Sequence, residues 1–221
     1  MPLSSLPPLT VEVLQQEAAT FAQAESKHQE PTLFGVTDGK KIGTYLEQKF
    51  RFFLADKYSF GEGNSASGID FPSLDVDVKT TSITQPQSSS PFRSARQKIY
   101  GLGYSLLVFV YMKTDDYSTQ TGLLDIQHTI FVEEHRTGDY QLTKSVLAIL
   151  DNGGNEDDLV ALFEDKSLPV DDIEARNIAA EVLGRRPEQG YLTISNALQW
   201  RLQYARAIKL AGDTEGVLRI A

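Results

Sequence analysis

Three aspartates and one lysine stand close together in the sequence and could jointly act on a phosphate group. Apolar and charged residues alternate through this stretch, so in an extended strand Asp75, Asp77 and Lys79 lie on one face. If the proline-containing turn after Asp70 folds the chain back, Asp70 joins that face beside Asp77. We therefore expect carboxylates and an ammonium group to meet at one point of a strand.

A divalent cation is the expected companion of these carboxylates. Carboxylates held close together raise each other's pKa and destabilise the fold unless a cation lies between them. Mg²⁺ is the expected ion, because it prefers oxygen ligands and accepts phosphate oxygen, and Mn²⁺ is expected to substitute for it. The chain has no cysteine and its three histidines are scattered, which argues against zinc. Lys79 could then hold, or help to deprotonate, a water molecule beside a scissile phosphate.

Hydrophobic periodicity predicts the elements that must hold these residues. Apolar residues recur every three or four positions from Ile42 to Leu54, which is typical of an amphipathic helix. A near-continuous apolar run at 104–113 predicts a central strand buried on both faces. Residues 81–91 are rich in Gln and Ser and predict a loop. The predicted helices span residues 10–28, 40–58, 92–102, 140–150, 157–164, 171–183 and 194–210, and the predicted strands span residues 69–71, 74–80, 104–113 and 123–133.

These elements predict an α/β fold, in which helices flank a central mixed β-sheet and further helices are appended towards the C-terminus. We expect a single domain over residues 1–221. Within it, residues 1–37 contribute an N-terminal packing helix, residues 38–135 the catalytic core and residues 136–221 a helical extension.

Asp70 followed by Asp77-Val78-Lys79 resembles the signature of the PD-(D/E)-x-K nuclease superfamily. The predicted helix, hairpin, helix and buried strand of residues 40–113 follow the order of that superfamily's common core. The resemblance implies a restriction-endonuclease-like core that hydrolyses phosphodiester bonds with Mg²⁺. It also implies that Asp70 and Asp77 bind the ion, and that Lys79 positions the attacking water and stabilises the charge that develops on phosphorus.

Two assignments within this predicted site stay open. Asp75 is an alternative to Asp70 as the first metal ligand. Members of the superfamily often add a glutamate from the preceding helix, and Glu47 stands at the edge of the apolar stripe of that helix. Glu47 could equally be a solvated carboxylate that pairs with Arg51, four residues further along the helix.

The residues after Lys79 are those expected to contact DNA. Five basic and no acidic residues lie between Lys79 and Thr114, in a chain whose net charge is -9, and such a basic segment favours phosphate binding. Gln can pair with adenine, Arg with guanine and Ser with phosphate oxygens, although a Gln- and Ser-rich loop can also be a plain solvated connection. The expected DNA contacts are Thr81, Ser82, Gln85, Gln87, Ser88, Ser89, Ser90, Arg93, Arg96, Gln97, Lys98 and Arg201.

The overall acidity weakens loose phosphate binding and favours a site-specific enzyme. In its size, its appended helices and its single stand-alone chain, the protein resembles a type II restriction endonuclease. Such an enzyme usually acts as a homodimer on a palindromic site in double-stranded DNA. Two alternatives stay open. One is a repair or recombination nuclease, such as a Holliday-junction resolvase. The other is a non-catalytic binding or assembly protein, in which Asp75, Asp77 and Lys79 form a solvated charge ladder.

The composition argues against several other classes of protein. Without cysteine the chain cannot be a disulfide scaffold or carry a cysteine nucleophile, which suits a cytoplasmic protein. The longest apolar run, residues 106–112, is far shorter than the ~20 residues of a membrane-spanning helix. The chain has no Walker motif and no complete dinucleotide fingerprint. We therefore expect neither a membrane partner nor a nucleotide cofactor.

Overall fold

A computed structural model of the chain describes residues 6–61, 68–195 and 199–221. No helix in these ranges is long and apolar enough to cross a lipid bilayer. In chain order the helices and strands are α1 (Val11–Glu25), β1 (Gln29–Glu30), α2 (Gly39–Ala55), β2 (Val76–Ser82), β3 (Gln87–Ser90), α3 (Gln97–Tyr100), β4 (Ser105–Asp116), β5 (Thr121–Val132), α4 (Tyr140–Asp151), α5 (Glu156–Asp165), α6 (Asp172–Gly184), β6 (Thr193–Ser195), β7 (Trp200–Gln203), α7 (Ala205–Leu210) and β8 (Val217–Arg219).

The larger of the two sheets is mixed and has the strand order β1-β5-β4-β2, with β8 also paired to β5. Strands β2 and β4 are parallel, whereas the other pairs are antiparallel. In β4, Leu107 and Phe109 enter the hydrophobic cluster on one face, and Leu106 and Val108 enter the cluster on the other. The predicted central strand, buried on both faces, is therefore confirmed, as is the α/β class with helices flanking a mixed sheet.

Helices α1 and α2 cover one face of this sheet. Thr10 caps α1 by accepting a hydrogen bond from the backbone of Val13. The apolar stripe of α2 is buried, and Phe50 lies at its centre, with ring centroids 5.0 Å from Phe21 of α1 and 5.2 Å from Phe109 of β4. Aromatic packing therefore holds α2 against the sheet. The two predicted N-terminal helices are both present.

The opposite face is covered by a second, antiparallel sheet with the strand order β3-β7-β6. The predictions of a loop at 81–91 and a helix at 194–210 are wrong here, apart from the short helix α7. In β7, buried Trp200 and Leu202 alternate with exposed Arg201, which is the two-residue period of a strand. Residues 196–198, part of that predicted helix, lie outside the described residues.

Two smaller predictions also need correction. The expected hairpin of 69–71 with 74–80 is reduced to one bridge between Phe71 and Val76. The expected helix at 92–102 is only the single turn of α3. Neighbouring side chains of this segment bond to different parts of the protein, Arg96 to α6 and Gln97 to Trp200.

Helices α4, α5 and α6 form a third cluster, in which Val146, Phe163 and Ile178 are buried. These three helices agree with the prediction. The part after residue 136 is nevertheless not purely helical, since it also supplies β6, β7 and β8. The proposed boundaries at residues 37 and 135 stay predictions.

Candidate active site

Asp77 and Lys79 lie on one face of β2, as the alternation predicts. Val76 and Val78 point into the core beneath α2, so the two charged side chains point to the other side of the sheet. Lys79 Nζ lies 2.5 Å from Asp77 Oδ2, and both side chains are largely buried, with 17% and 4% of their surface exposed. The pair is therefore a desolvated carboxylate and ammonium held on a rigid strand.

Asp70 reaches the same place through a tight turn. The backbone of Phe71 is hydrogen bonded in both directions with that of Val76, which closes a short loop. Asp75 sits at the end of this loop with φ +50°, outside β2 and exposed. Asp70 then accepts a hydrogen bond of 2.9 Å from the backbone nitrogen of Val78. Because β2 is an edge strand, this nitrogen has no neighbouring strand to bond to, and Asp70 takes that role.

This geometry distinguishes Asp70 from Asp75. The carboxyl of Asp70 acts electrostatically on both Asp77 and Glu47, whereas Asp75 is not among the groups that shift the pKa of either residue. The predicted shared face of Asp75, Asp77 and Lys79 is thus wrong for Asp75, because a left-handed backbone conformation interrupts the alternation before β2 begins.

Glu47 faces this group of charges from α2. The side chain lines the cleft in front of β2 together with Lys79 and Thr80. Within the described residues no ion pair joins Glu47 to Arg51. Burial raises the pKa of Glu47 to about 7; the charge of Asp70 adds to the rise, Lys79 opposes it and Asp77 contributes further. Glu47 is therefore electrostatically part of the site.

Asp77 is perturbed in the same direction. Burial raises its pKa to about 7, against the lowering effect of Lys79, and the neighbouring carboxyl of Asp70 contributes to the rise. Burial lowers the pKa of Lys79, but the charge of Asp77 outweighs it and the net shift is upwards. Three carboxyl groups thus share a poorly solvated region with one ammonium group.

The residues of this region fit a hard divalent cation. In the described part of the chain, buried Asp77 Oδ2 has no hydrogen-bond partner besides Lys79 Nζ, and buried Thr80 Oγ1 has no hydrogen-bond partner. No group of three or more His, Asp or Glu side chains in that part forms a ready-made cage. One or two carboxylates plus water are what Mg²⁺ uses. Asp70 and Asp77 are the residues that would hold it.

The cleft in front of β2 has a volume of about 1020 Å³ and runs between α2 and the second sheet. Of the charged residues that are described along its wall, four are cationic and two acidic, although the chain as a whole carries a charge of -9. Asp70 and Asp77 lie beside this lining, so cations and carboxylates balance at the site while the chain as a whole is acidic, and a polyanion is repelled less here than elsewhere on the surface. The charged lining residues are Lys40, Lys79, Lys113, Arg201, Glu47 and Asp115.

Seven of the residues predicted to contact DNA line this cleft: Thr81, Ser82, Gln85, Gln87, Ser88, Ser89 and Arg201. The hydroxyls of three of them are held in internal contacts. The hydroxyl of Thr81 bonds to the backbone of Gln87, that of Ser82 bonds to Thr84, and that of Ser88 lies 2.5 Å from the hydroxyl of Tyr204. Arg93 is exposed and its guanidinium lies beside Gly68, close to Asp70 in sequence and outside the lining of the cleft.

Four other residues predicted to contact DNA make contacts inside the protein, and their assignment to DNA stays a prediction. Ser90 is buried and hydrogen bonded to Tyr104. Arg96 forms ion pairs with Glu174 and Glu181 of α6. Gln97 and Lys98 are both buried. The amide of Gln97 bonds to Trp200, and the ammonium group of Lys98 lies 5.8 Å from the centre of that indole ring.

The site also contains residues that the sequence analysis did not single out. Lys40 and Thr44 of α2 line the cleft. Tyr104 interacts electrostatically with Lys79 from behind. The charge of Lys40 on the helix before the motif was an available signal, but nothing in the sequence marked Tyr104.

The comparisons with known proteins point to one family. Residues 8–219 match the family described as type II restriction enzyme NspV. Type II restriction enzyme NspV of Nostoc sp. (strain ATCC 29411 / PCC 7524) is 61% identical over 212 residues, which are 96% of this chain and 96% of that protein. No solved structure matches the chain significantly.

These matches decide between the alternatives that the sequence left open. They favour a site-specific endodeoxyribonuclease over a junction resolvase and over a non-catalytic assembly protein, and they imply binding to double-stranded DNA. Enzymes of this type generally need a divalent metal, which agrees with the carboxylates around Lys79. The chain belongs to the family of type II restriction enzyme NspV.

Proposed function

We propose that this restriction endonuclease uses Mg²⁺ bound by Asp70 and Asp77 to hydrolyse phosphodiester bonds, with Lys79 as the neighbouring catalytic residue. The observation that carries the proposal is the meeting of Asp70, Asp77 and Lys79 at the edge of β2, beside a cleft whose wall carries four cationic side chains. The bound ion would polarise the phosphate and lower the pKa of a coordinated water.

The roles of the chain's own residues follow from their positions. Lys79 offers an ammonium group that can donate hydrogen bonds to a water and to a phosphate oxygen, and so orient the water and stabilise the charge on phosphorus. The water oxygen gives up a proton to solvent and bonds to phosphorus as a backbone phosphorus–oxygen bond breaks, and the departing oxygen gains a proton from solvent. Glu47 supplies a third carboxylate at the cleft, where it supports the metal site.

The cleft is the proposed position of the DNA. Lys40 lines it, as does Lys113, which pairs with Asp115, and cations along a groove neutralise backbone phosphates. Ser82 and Gln85 lie at the turn between β2 and β3, next to the site, where hydroxyl and amide groups can bond to the sugar–phosphate backbone. Arg93 would contact the backbone beyond Asp70.

We further propose that two copies act together on a palindromic sequence. One chain carries a single site of this kind in its described part, whereas cutting both strands needs one site for each strand. A two-fold dimer matches the two-fold symmetry of a palindromic duplex. A cytoplasmic location goes with this function, because that is where a restriction enzyme meets incoming DNA.

The experiment is digestion of a plasmid by the wild type and by Asp70→Asn, Asp77→Asn, Lys79→Ala and Asp75→Asn variants, each with Mg²⁺ or EDTA. Discrete fragments are expected with Mg²⁺ for the wild type and for Asp75→Asn, which is the matched control. The other three variants are expected to lose cleavage but to keep DNA binding. Loss of activity in Asp75→Asn together with retained activity in Asp70→Asn would overturn the assignment of Asp70. Sequencing the fragment ends then shows whether the site is palindromic.

A further inference from the structure

The pairing of β3, β7 and β6 sorts their side chains onto two faces. Ser89 lies opposite Arg201, and Gln87 lies opposite Gln203. Directly paired residues in an antiparallel sheet share a face. Ser195 and Thr193 pair with Arg201 and Gln203 from the other side. The result is an outer face made only of hydroxyl, amide and guanidinium groups: Gln87, Ser89, Thr193, Ser195, Arg201 and Gln203.

The inner face of the same sheet packs against the protein core. Trp200, Leu202 and Ile194 are buried in the core of this side of the molecule. The hydroxyl groups of Ser88 and Ser90 are bonded to Tyr204 and Tyr104. These contacts fix the sheet rigidly, so the outer face is presented on an ordered platform.

The outer face is also partly open to solvent and close to the active site. Arg201 and Ser89 are exposed, whereas the other four residues of the face are half-buried. Gln87, Ser89 and Arg201 line the cleft that also contains Lys79 and Glu47. A duplex bound at the active site would therefore meet this face.

We propose that the outer face of the β3-β7-β6 sheet reads base edges in the major groove, and that Arg201 binds a guanine. The inference deepens the proposed function and rests on it, since it requires DNA to lie in the cleft. The major groove admits a two-stranded β-ribbon. Arginine binds the two acceptors of guanine, glutamine binds adenine through two hydrogen bonds, and serine accepts or donates to either. A face with Arg201 flanked by Gln87 and Gln203 carries this chemistry at adjacent positions.

The test measures binding rather than cleavage, with Ca²⁺ in place of Mg²⁺. After the recognition sequence has been defined by fragment-end sequencing, binding is measured to a duplex with that sequence and to one without it. Arg201→Ala is expected to weaken specific binding by about 10-fold or more, the loss of one two-pronged base contact, while non-specific binding changes by less than about threefold. Replacing the contacted guanine by 7-deazaguanine should weaken the wild type similarly and leave Arg201→Ala unaffected.

Arg176→Ala is the matched control, because Arg176 is an exposed arginine on α6 that pairs with Glu156 and Asp157. This variant should change neither the specific nor the non-specific dissociation constant. Gln203→Ala tests the face without touching Arg201, and circular dichroism verifies that each variant folds. Equal losses on both duplexes would assign Arg201 to phosphate and overturn the proposal, as would a recognition sequence without guanine. If Asp77→Asn still cleaves while Arg201→Ala loses discrimination, the proposed active site fails and this inference stands.

Discussion

The side-chain amide of Gln97 accepts a hydrogen bond of 3.0 Å from the indole nitrogen of Trp200, a residue 103 positions away in the chain. Its oxygen also accepts from the backbone of Arg93, and its nitrogen donates to the carbonyl of Leu102. One buried amide thus joins α3, the segment before β4 and strand β7. It helps to hold the second sheet in place against this segment.

Replacement of Gln97 by alanine should therefore destabilise the protein. The change removes the hydrogen-bond partner of the buried indole nitrogen of Trp200 and of the buried carbonyl of Leu102, and we expect the free energy of unfolding to fall by about 2 to 4 kcal/mol. Urea denaturation followed by tryptophan fluorescence measures it. Gln127→Ala is the control, since Gln127 is exposed and bonds only to Asp125 in the described structure. Equal losses in the two variants would contradict the role of Gln97.

Glu47→Gln should slow cleavage without weakening DNA binding. The substitution keeps the shape of the side chain and removes its charge from the carboxylate group around Lys79, so we expect a loss of about 10- to 100-fold in the rate at limiting Mg²⁺. Part of this loss should be recovered by raising the Mg²⁺ concentration. The control is Glu17→Gln, because Glu17 pairs with Lys57 away from the cleft. An unchanged rate at all Mg²⁺ concentrations would remove Glu47 from the site.

Metal removal and replacement should separate the ion's role from that of the fold. EDTA is expected to stop cleavage, and addition of Mg²⁺ or Mn²⁺ should restore it. Binding of Mg²⁺ at ten times its Kd should add about 1.4 kcal/mol to the unfolding free energy of the DNA-free protein. Thermal denaturation should show this shift in the wild type and not in Asp77→Asn. An equal shift in that variant would place the ion elsewhere.

Arg96→Ala should leave DNA binding unchanged, although Arg96 lies in the basic segment. Its guanidinium pairs with Glu174 and Glu181, which anchors α3 to α6. Because this cluster is partly exposed, the unfolding free energy should fall by no more than about 1 kcal/mol. Fluorescence anisotropy with non-specific duplex DNA measures the binding. A clear loss of affinity would mean that Arg96 leaves its glutamates to contact phosphate.

Acid should weaken the protein partly through Glu30. Burial alone would raise the pKa of Glu30, but hydrogen bonds from Thr32, His28 and Tyr45 outweigh it and lower the pKa to about 2, from an ordinary value of 4.5. A lowered carboxyl pKa stabilises the folded state above the unfolded value, and this contribution, on the order of 2 kcal/mol, is lost as the pH falls from 4.5 towards 2. Glu30→Gln should flatten this part of the curve of stability against pH, and an unchanged slope would contradict it.

Local sequence determined the elements in which apolar residues recur with one regular period and face one environment along the whole element. The apolar stripe of α2, the run of β4 and the three acidic helices α4 to α6 all bury surface in a pattern that short-range periodicity expresses directly. The same alternation placed Asp77 and Lys79 on one face of β2, because side chains of a strand alternate whatever surrounds it. The motif could therefore be identified without knowledge of the fold.

Tertiary structure decided what depends on partners distant in the chain. Asp70 rather than Asp75 joins the site because the edge of β2 leaves the amide of Val78 to be satisfied and a left-handed turn carries Asp75 away. Short polar strands such as β3 exist only because β7 pairs with them, so composition alone suggested a loop. Basic residues likewise look alike in sequence, but Lys98 packs against Trp200 and Arg96 pairs with α6, whereas Arg201 is exposed in the cleft.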